Sequence, residues 1–479
     1  MDFDCSASYA SRVRHAISRV ATIGIIIILV VIVGIGGYAA TVFTAPRSTT
    51  STTTSITSTT SSSSSTTSAQ QQYVTLGLSL PLSSAVGQDA LDAANMAVSE
   101  INSGGGVTMN GTHYLLKTVS EDTGEMDPSI PVDQGLAALQ KLITVDGAQV
   151  VLGGVRTDVV VAEAAQLAKY KTVFVDIESN EPIVECEVHY TSNCPPGITQ
   201  NYTAYKYYFH LFVNGSAIGP SLVRFPILLR NYTQSHPGFP NVTNVAILAE
   251  NALWTVGPVG RPAGNSSFVG ALKHFGFNVV YANLFPLSTQ DFSTYLSQIA
   301  AAKAGMIMLF FSGTDGAAFA QQYQAYSWPN GQKPFVFGPG LLGGFSEFWS
   351  QTNGAAQGMI PWPSTVNVSL TPKTIPFIDA FYAKYGHTPN TAAIDMYDGV
   401  HLVAHAMEAA NTWKANRLIT AMQNITYTGV MGTIHFTSSH GINLPDIPMY
   451  EEFGQWQNGT LVPIWNSTST TISSKLIPP

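Results

Sequence analysis

The sequence predicts a doubly wound α/β protein of two Rossmann-like lobes, preceded by a transmembrane helix and a linker rich in serine and threonine. Three observations predict it: an uncharged apolar run near the N-terminus, a Ser/Thr tract directly after it, and apolar runs that alternate with amphipathic helices from Tyr73 onward. Alternating strands and helices favour a sheet covered by helices on both faces. The roughly 400 residues after the tract are too many for one core and natural for two lobes.

The apolar run 21–42 carries no charged residue and is long enough to cross a hydrocarbon core as a helix. Three arginines precede it and only one follows closely, which predicts a cytoplasmic N-terminus and an exported chain after residue 43. We therefore expect residues 1–20 to be a short cytoplasmic segment or leader and residues 21–43 to be an uncleaved anchor. The basic stretch also resembles an archaeal pilin-type leader with a cut near Ala16, which would leave the apolar helix attached.

Residues 44–72 are predicted to be a linker, because 48–72 is almost pure serine and threonine. Such a tract cannot bury apolar surface, so it is either a stalk that carries O-linked sugars or a plain spacer. Ten N-x-[ST] sequons after it indicate an extracellular, glycosylated surface. They lie at Asn110, Asn201, Asn214, Asn231, Asn241, Asn265, Asn367, Asn424, Asn458 and Asn466.

Cysteine and charge content agree with an exported protein. Of three cysteines, Cys186 and Cys194 lie close together in "CEVHYTSNC", which predicts a small disulfide loop in an oxidising space. Charged residues make up only 10% of the chain and the net charge is −8, with no basic patch, so nucleic acid is excluded as a partner. So few charges would also suit an acidic exterior.

Eight apolar runs predict the strands of the two sheets. They are 73–80, 113–121, 148–154, 172–177, 244–250, 278–285, 305–312 and 334–338. Among the helices, 89–102 has one apolar face and stops at the glycines that follow it, and 291–304 repeats the pattern. Residues 375–424 are predicted to form a further helical block, and residues 429–465 are predicted to form short strands. The segment 186–243 does not follow the alternation of strands and helices.

Several stretches, in order, resemble the extracellular solute-binding proteins of ABC transporters, of the leucine/isoleucine/valine-binding type (periplasmic binding protein type I). They include "VTLGLSLPLSSAVG", "AQVVLGGVRTDVVVAEAAQLAKYKTVFVDI", "KPFVFGPGLLGG" and "AAIDMYDGVHLVAHAMEAA". The resemblance covers about 73–465 and implies two lobes joined by a hinge of three crossovers. Its first lobe would hold 73–212 and 364–428, its second 213–363 and 429–466, with a tail over 467–479. A ligand would bind in the cleft, which closes about the hinge.

The resemblance, with the ends of the predicted strands, points to eleven ligand-binding residues. They are Ser83, Ser84, Arg156, Thr157, Asp158, Glu178, Ser179, Trp254, Phe311, Ser312 and Gly340. Thr157 falls where the family has a hydroxyl for a carboxylate, at a helix start that favours anions, and Trp254 where a tyrosine commonly covers the ligand. Gly340 stands where the family has a glutamate for the ammonium group, so Glu178 or Asp158 would replace it, or the ligand is an amide, a carboxylic acid or a peptide-like solute. Arg156 would suit an anionic group.

These residues also have structural interpretations. Ser83 and Thr157 are suited to helix capping, and Asp158 to the first turn of a helix. Glu178 would equally form a loop ion pair, and Trp254 would pack inside its lobe.

The sequence offers little support for a cofactor, a metal or catalysis. Gly338, Gly340 and Gly343 spell G-x-G-x-x-G, but no acidic residue follows between Glu347 and Asp379, so no dinucleotide site is expected. Two histidines at helical spacing, 401 and 405, lack the H-E-x-x-H form and a third ligand, so no metal site is expected. With no nucleophile elbow, C-x-x-C or P-loop motif, the chain is not expected to be an enzyme.

The predicted function is therefore the capture of a small solute, an amino acid above all, for the permease and ATPase subunits of an ABC importer. The binding domain would lie outside the cell on a single membrane anchor. The alternative from another class is a ligand-sensing surface receptor. Only about 20 residues precede the anchor, too few for a cytoplasmic signalling domain, and this favours transport.

Overall fold

The computed structural model describes residues 71–180, 182–192, 194–195, 197–213, 215–313, 315–340 and 342–479. The predicted leader and anchor, nearly all of the linker, and the sequon residue Asn214 lie outside these ranges. Within them, no helix is both long enough and apolar enough to span a membrane.

The first sheet has six strands, five of them parallel. They are β1 (Gln72–Leu80), β2 (Val107–Met109), β3 (Thr112–Asp122), β4 (Val150–Gly153), β5 (Val173–Asp176) and β6 (Tyr208–His210). Their order is β2-β3-β1-β4-β5-β6, and only β2 pairs antiparallel to its neighbour β3. Gly153 is in register with Ser79 on one side and Asp176 on the other, so β1, β4 and β5 end at the same level.

The second sheet has five parallel strands. They are β7 (Asn244–Glu250), β8 (Asn278–Phe285), β9 (Met306–Phe310), β10 (Phe335–Pro339) and β11 (Ile360–Trp362). The order β11-β10-β9-β7-β8 reverses direction at β7. In the first sheet, β3 and β4 likewise lie on opposite sides of β1. Such switch points leave a crevice at the carboxyl ends of the strands, where open α/β sheets bind ligands.

Helices cover both sheets. In chain order they are α1 (Ala85–Ser103), α2 (Val132–Thr144), α3 (Thr157–Ala164), α4 (Leu167–Tyr170), α5 (Ile183–Val188), α6 (Tyr202–Tyr205), α7 (Gly215–Ser235), α8 (Val256–Val259), α9 (Ser267–His274), α10 (Ser293–Ala301), α11 (Asp315–Ala325), α12 (Ser346–Gln351), α13 (Thr374–Tyr385), α14 (Thr391–Ala410) and α15 (Ala415–Asn424). The long helix α14 begins at Asn390, whose side chain accepts the Ala393 N–H. It packs on α1 and buries most of its length.

The chain passes between the sheets three times. After β6 it enters α7, which packs on α8 and α9 of the second lobe. After β11 it returns to α13 and α14, and to the short hairpin of β12 (Tyr427–Thr428) and β13 (Thr433–Ile434). It then crosses again to the hairpin of β14 (Glu452–Gln457) and β15 (Thr460–Asn466), which packs on β11.

The structure confirms the α/β fold and contains all eight predicted strands. The short strands β2, β6 and β11 were not predicted, and neither was α7, whose two internal prolines argue against a helix. The predicted helical block is divided into α13, α14 and α15. The predicted tail 467–479 packs against β14, with Ile472 and Leu476 buried.

Candidate functional site

A cavity of about 200 Å³ lies between the lobes, at the carboxyl ends of both sheets. The first lobe contributes residues that follow β3 to β6, and the second contributes residues that follow β7 to β11. By area the wall is mainly apolar, and polar side chains from both lobes lie between the apolar and aromatic ones. Eight of the eleven predicted residues line it: Arg156, Thr157, Asp158, Glu178, Trp254, Phe311, Ser312 and Gly340.

The other three predicted residues, Ser83, Ser84 and Ser179, lie outside the cavity wall. Ser83 is exposed in the turn after β1. Ser84 caps α1, since its hydroxyl accepts the Gly87 N–H and donates to a carbonyl of the same turn. Ser179 is fully buried, and its hydroxyl donates to the Asp176 carboxylate. Ser84 and Ser179 thus have structural hydrogen-bond partners instead of facing a solute.

The loop after β4 brings Arg156, Thr157 and Asp158 to the cavity. Thr157 is buried at the first position of α3, where the free N–H groups of a helix start attract anions. The Arg156 guanidinium donates to the Asp158 carboxylate at 2.7 Å. It also donates to three backbone carbonyls between residues 125 and 130. Because these contacts engage its donors, Arg156 shapes the loop and Thr157 remains the group suited to an anion.

Glu178, two residues beyond β5, places a buried carboxyl on the cavity wall. One oxygen accepts the Thr391 hydroxyl at 2.8 Å. The other, Oε2, is buried and has no hydrogen-bond partner among the described residues. Burial raises the pKa of Glu178 well above its ordinary value, and the Thr391 hydrogen bond opposes this only in part. Glu178 is therefore either protonated or in need of a donor from a solute.

Glu125 is a second buried acid in the wall, and it was not predicted. Its two oxygens accept the Thr123 hydroxyl and the Arg156 backbone N–H, both at 3.0 Å. Burial raises the pKa of Glu125 to about 7. An acid four residues after a predicted strand was the available signal, but nothing in the sequence indicated that the loop turns it inward.

In the second lobe, three groups converge on the unpredicted acid Glu250. It is the last residue of β7, fully buried and on the cavity wall. Its Oε1 accepts the Trp254 indole N–H and the Ser312 hydroxyl, and its Oε2 accepts the Ser312 backbone N–H at 2.9 Å. Burial raises the pKa of Glu250, and these hydrogen bonds oppose the rise. Glu250 thereby fixes two of the predicted residues.

The glycine loop after β10 makes room for an aromatic ring. A Cβ on Gly340 would lie 2.4 Å from the Phe311 ring, and one on Gly343 would lie 3.2 Å from the same ring. The Gly340 N–H donates to the Trp362 carbonyl at 2.7 Å. The close approach of Phe311 thus explains Gly340 and Gly343, whereas Gly338 has a φ of +140° and a Cβ on it would lie 2.8 Å from the Leu309 carbonyl oxygen.

An aromatic cluster forms where the crossovers meet. The Phe212 ring lies 4.9 Å from Tyr450 and 6.1 Å from Trp362. The Trp362 indole donates to the Tyr450 carbonyl at 2.7 Å, and the Tyr450 hydroxyl donates to Asp395 of α14. Each of these three aromatics belongs to a different crossover. Phe212 and Trp362 also line the cavity, which joins the cavity to the hinge.

Cys186 and Cys194 form a disulfide behind the Glu178 loop. Glu185, beside Cys186, accepts a hydrogen bond from buried His210 at 2.7 Å, and His210 also donates to the Ser179 carbonyl. Burial lowers the pKa of His210, but Asp176 and Glu185 more than compensate and raise it to about 9. A charged histidine thus ties the disulfide segment to the residue that follows Glu178.

Two further predictions concern metal binding and glycosylation. Across the described ranges, no group of three or more His, Cys, Asp or Glu side chains is arranged to hold a metal ion. Of the nine sequon asparagines in these ranges, eight are exposed and Asn466 is half-buried. Their occupancy by glycans stays a prediction.

The arrangement suits a small solute with two unlike ends. Thr157 and the start of α3 supply donors, while Glu178 supplies an acceptor on the neighbouring strand of the same sheet. Trp254 and Phe311 offer apolar surface from the opposite lobe.

Comparisons with known proteins agree with this fold. The family model "periplasmic binding protein" matches residues 73–451. Leu/Ile/Val-binding protein homolog 8 of Brucella melitensis is 20% identical over 405 residues, which cover 82% of this chain and 90% of that protein. A leucine-binding protein from Thermotoga maritima has a TM-score of 0.62 at 16% identity, over 82% of this chain and 99% of its own. An ABC transporter solute-binding protein from R. palustris, in complex with benzoate, has a TM-score of 0.61 at 16% identity, over 85% and 98%.

Proposed function

The chain belongs to the periplasmic binding protein family of ABC transporter solute-binding proteins, in its type I, Leu/Ile/Val-binding-like form, and we propose that it captures an apolar amino acid for import. The solute would be trapped between the lobes and delivered to a membrane permease driven by ATPase subunits. The family is a class of solute-binding proteins and not of enzymes.

The single observation that carries this proposal is that Glu178, a residue of the cavity wall, has a buried carboxyl oxygen with no hydrogen-bond partner among the described residues. A buried acid without a partner is costly, and an ammonium group would supply both the charge and the donor that it lacks. The carboxylate of the same amino acid would accept from Thr157 and the first N–H groups of α3. Its apolar side chain would then face Trp254 and Phe311, which agrees with relatives named for leucine, isoleucine and valine.

A second candidate, a carboxylic acid or an amide without an ammonium group, is favoured by the raised pKa of Glu178. A protonated carboxyl donates a hydrogen bond and would bind a solute oxygen instead of an ammonium. The benzoate complex of the R. palustris protein supports this alternative.

We further propose that the binding domain lies outside the cell and is held by the anchor at 21–43. The disulfide and the exposed sequons support an exported domain, because disulfides persist in oxidising compartments.

The test uses three related solutes and the purified full-length protein. L-leucine carries both ends, leucinamide lacks the carboxylate, and 4-methylpentanoate lacks the ammonium group. Binding is measured by calorimetry and by thermal shift at pH 5 and pH 7, where a solute at a hundredfold its Kd adds about 2.7 kcal/mol. Preferential binding of L-leucine supports the amino-acid proposal, whereas preference for 4-methylpentanoate supports the second candidate.

Two variants locate the ends of the solute. Glu178→Gln is expected to weaken L-leucine and leucinamide roughly 10- to 100-fold, since hydrogen bonds to charged groups contribute about 1.5–3 kcal/mol. Thr157→Ala is expected to weaken L-leucine more than leucinamide, whose neutral amide oxygen accepts a weaker hydrogen bond than a carboxylate, and Thr157→Ser is the matched control that keeps the hydroxyl. If no member of a wider panel of amino acids, amides and acids shifts the melting temperature, the proposed function is wrong.

A further inference from the structure

The carboxylate of Glu250 is buried on the second-lobe wall without a cationic partner among the described residues. Burying such a charge is unfavourable unless donors surround it. Three donors do so, all from Trp254 and Ser312, which themselves line the cavity. Burial of the Glu250 carboxylate is unfavourable, and all of its hydrogen-bond donors belong to residues of the cavity wall. This combination suggests that Glu250 has a role in the site.

We propose that Glu250 is the positioning residue of the second-lobe wall, holding the Trp254 indole and the Ser312 hydroxyl in the orientation that meets the solute. This inference rests on the proposed function. Glu250 would act through these two residues and need not touch the solute.

The geometry requires a carboxylate at this position. The Trp254 indole N–H and the Ser312 backbone N–H donate to different oxygens of Glu250, and neither group can accept a hydrogen bond. A glutamine offers one oxygen and one NH₂, so one of these two donors would face another donor. Glu250→Gln therefore keeps the size of the side chain but breaks one of the two contacts.

The Trp254 side chain depends on Glu250 more than its backbone does. Trp254 lies in the short 3-10 turn Leu253–Thr255, and the Thr255 hydroxyl donates to the Glu250 backbone carbonyl at 2.8 Å. That bond survives a change of the Glu250 side chain, so the turn keeps its place. Where the glutamine turns its NH₂ towards Trp254, the half-buried indole loses its N–H contact and is free to leave the cavity wall.

The contact with Glu250 also determines whether the Ser312 hydroxyl donates or accepts a hydrogen bond with a solute. Its hydroxyl proton and its backbone N–H both point to Glu250. The lone pairs of the hydroxyl are therefore the part of Ser312 that remains for a solute, and they accept N–H donors and reject bare carboxylates. Glu250 would thus favour amine-bearing solutes on the second-lobe side.

The experiment compares full-length wild type with Glu250→Gln, Trp254→Phe and the double variant. Glu163→Gln is the matched control, because Glu163 is also fully buried and also accepts a serine hydroxyl, but does not line the cavity. One readout needs no solute: the ¹⁵N–¹H resonance of the Trp254 indole, assigned by its loss in Trp254→Phe. The other is the Kd for L-leucine by calorimetry.

We expect Glu250→Gln to shift the Trp254 indole resonance and speed its hydrogen exchange, and to weaken L-leucine at least tenfold. In the Trp254→Phe background the same change should have a clearly smaller effect, because contacting residues are not additive. Glu163→Gln should change neither readout.

Unchanged resonances of both the Trp254 indole and the Ser312 backbone amide in Glu250→Gln would overturn the inference, as would fully additive effects on Kd. If the wild type itself binds neither L-leucine nor any other panel solute, the proposed function fails. The indole resonance then still decides whether Glu250 holds Trp254.

Discussion

Glu163 and Glu178 are two buried carboxyls of the first lobe. A comparison of the two measures how a buried acid that lacks one hydrogen-bond partner changes the unfolding free energy of this protein. Each accepts one hydroxyl, from Ser79 at 2.9 Å and from Thr391 at 2.8 Å. Each leaves its second oxygen buried and without a partner among the described residues. Burial raises the pKa of both carboxyls well above the ordinary value. The perturbation is a change to glutamine at either position, which keeps the shape and removes the titration.

The magnitude follows from proton linkage. Because the pKa is raised in the folded state, each carboxyl contributes stability that is complete below the unfolded pKa, near 4.3, and is lost as the pH rises towards the folded pKa. The slope is about 1.4 kcal/mol per pH unit while the folded group keeps its proton. Between pH 4.5 and 6.5, the wild type should therefore lose unfolding free energy relative to either variant, by no more than about 1.4 kcal/mol per pH unit.

The assay is urea unfolding of the full-length proteins, followed by circular dichroism at pH 4.5, 5.5 and 6.5. Titrating groups that do not interact with either acid, such as His440, whose pKa burial lowers to about 4, are common to all three proteins and cancel in the differences. Both variants should gain on the wild type as the pH rises, but only Glu178→Gln should lose L-leucine, because Glu163 lies off the cavity wall. Differences that do not change with pH would show that both carboxyls ionise freely in the folded protein, and would refute the reasoning.

Two further changes test the cavity wall and the hinge. Gly340→Ala would place a Cβ 2.4 Å from the Phe311 ring, so we expect L-leucine to bind at least tenfold more weakly by calorimetry. Its control, Gly270→Ala on an exposed helix position with nothing within 4 Å, should instead raise the unfolding free energy by about 0.5–1 kcal/mol. Trp362→Phe removes the donor to the buried Tyr450 carbonyl and should cost about 1–3 kcal/mol in urea unfolding. A Trp362→Phe protein as stable as the wild type would show that this hinge contact is dispensable.

The strands were predictable wherever the apolar run was long. In β1 the last seven residues are all buried, and β9 is buried throughout. Their apolar runs arise because a parallel strand with helices on both faces of its sheet is buried on both sides. β2, β6 and β11 have three residues each, too few for a periodicity. The helix α7 forms against its local sequence, because burial of Phe225 and Leu229 outweighs the cost of the internal prolines.

The sequence predicted only those site residues that lie close to the end of a predicted strand. Thr157 and Glu178 follow long apolar strands and lie where such residues are expected. Ser179 belongs to the same loop, but the buried Asp176 captures its hydroxyl, a contact that depends on side-chain direction. Glu250 closes a predicted strand, yet its role arises from groups that converge from different loops of the chain. Trp362 enters from a crossover, where no periodicity marks its position.

The four acids of the cavity wall are not equivalent, and their contacts determine which of them is able to respond to a solute. Asp158 is paired with Arg156. Both oxygens of Glu125 and both oxygens of Glu250 already accept donors from the protein. Among these four, Glu178 alone has a buried oxygen without a hydrogen-bond partner in the described part of the chain, so it has the most to gain when a donor enters. The choice between an ammonium group and an oxygen at this end of the solute should therefore depend on whether Glu178 is ionised. Replacing it by glutamine, which is neutral at every pH, should remove the pH dependence of that choice.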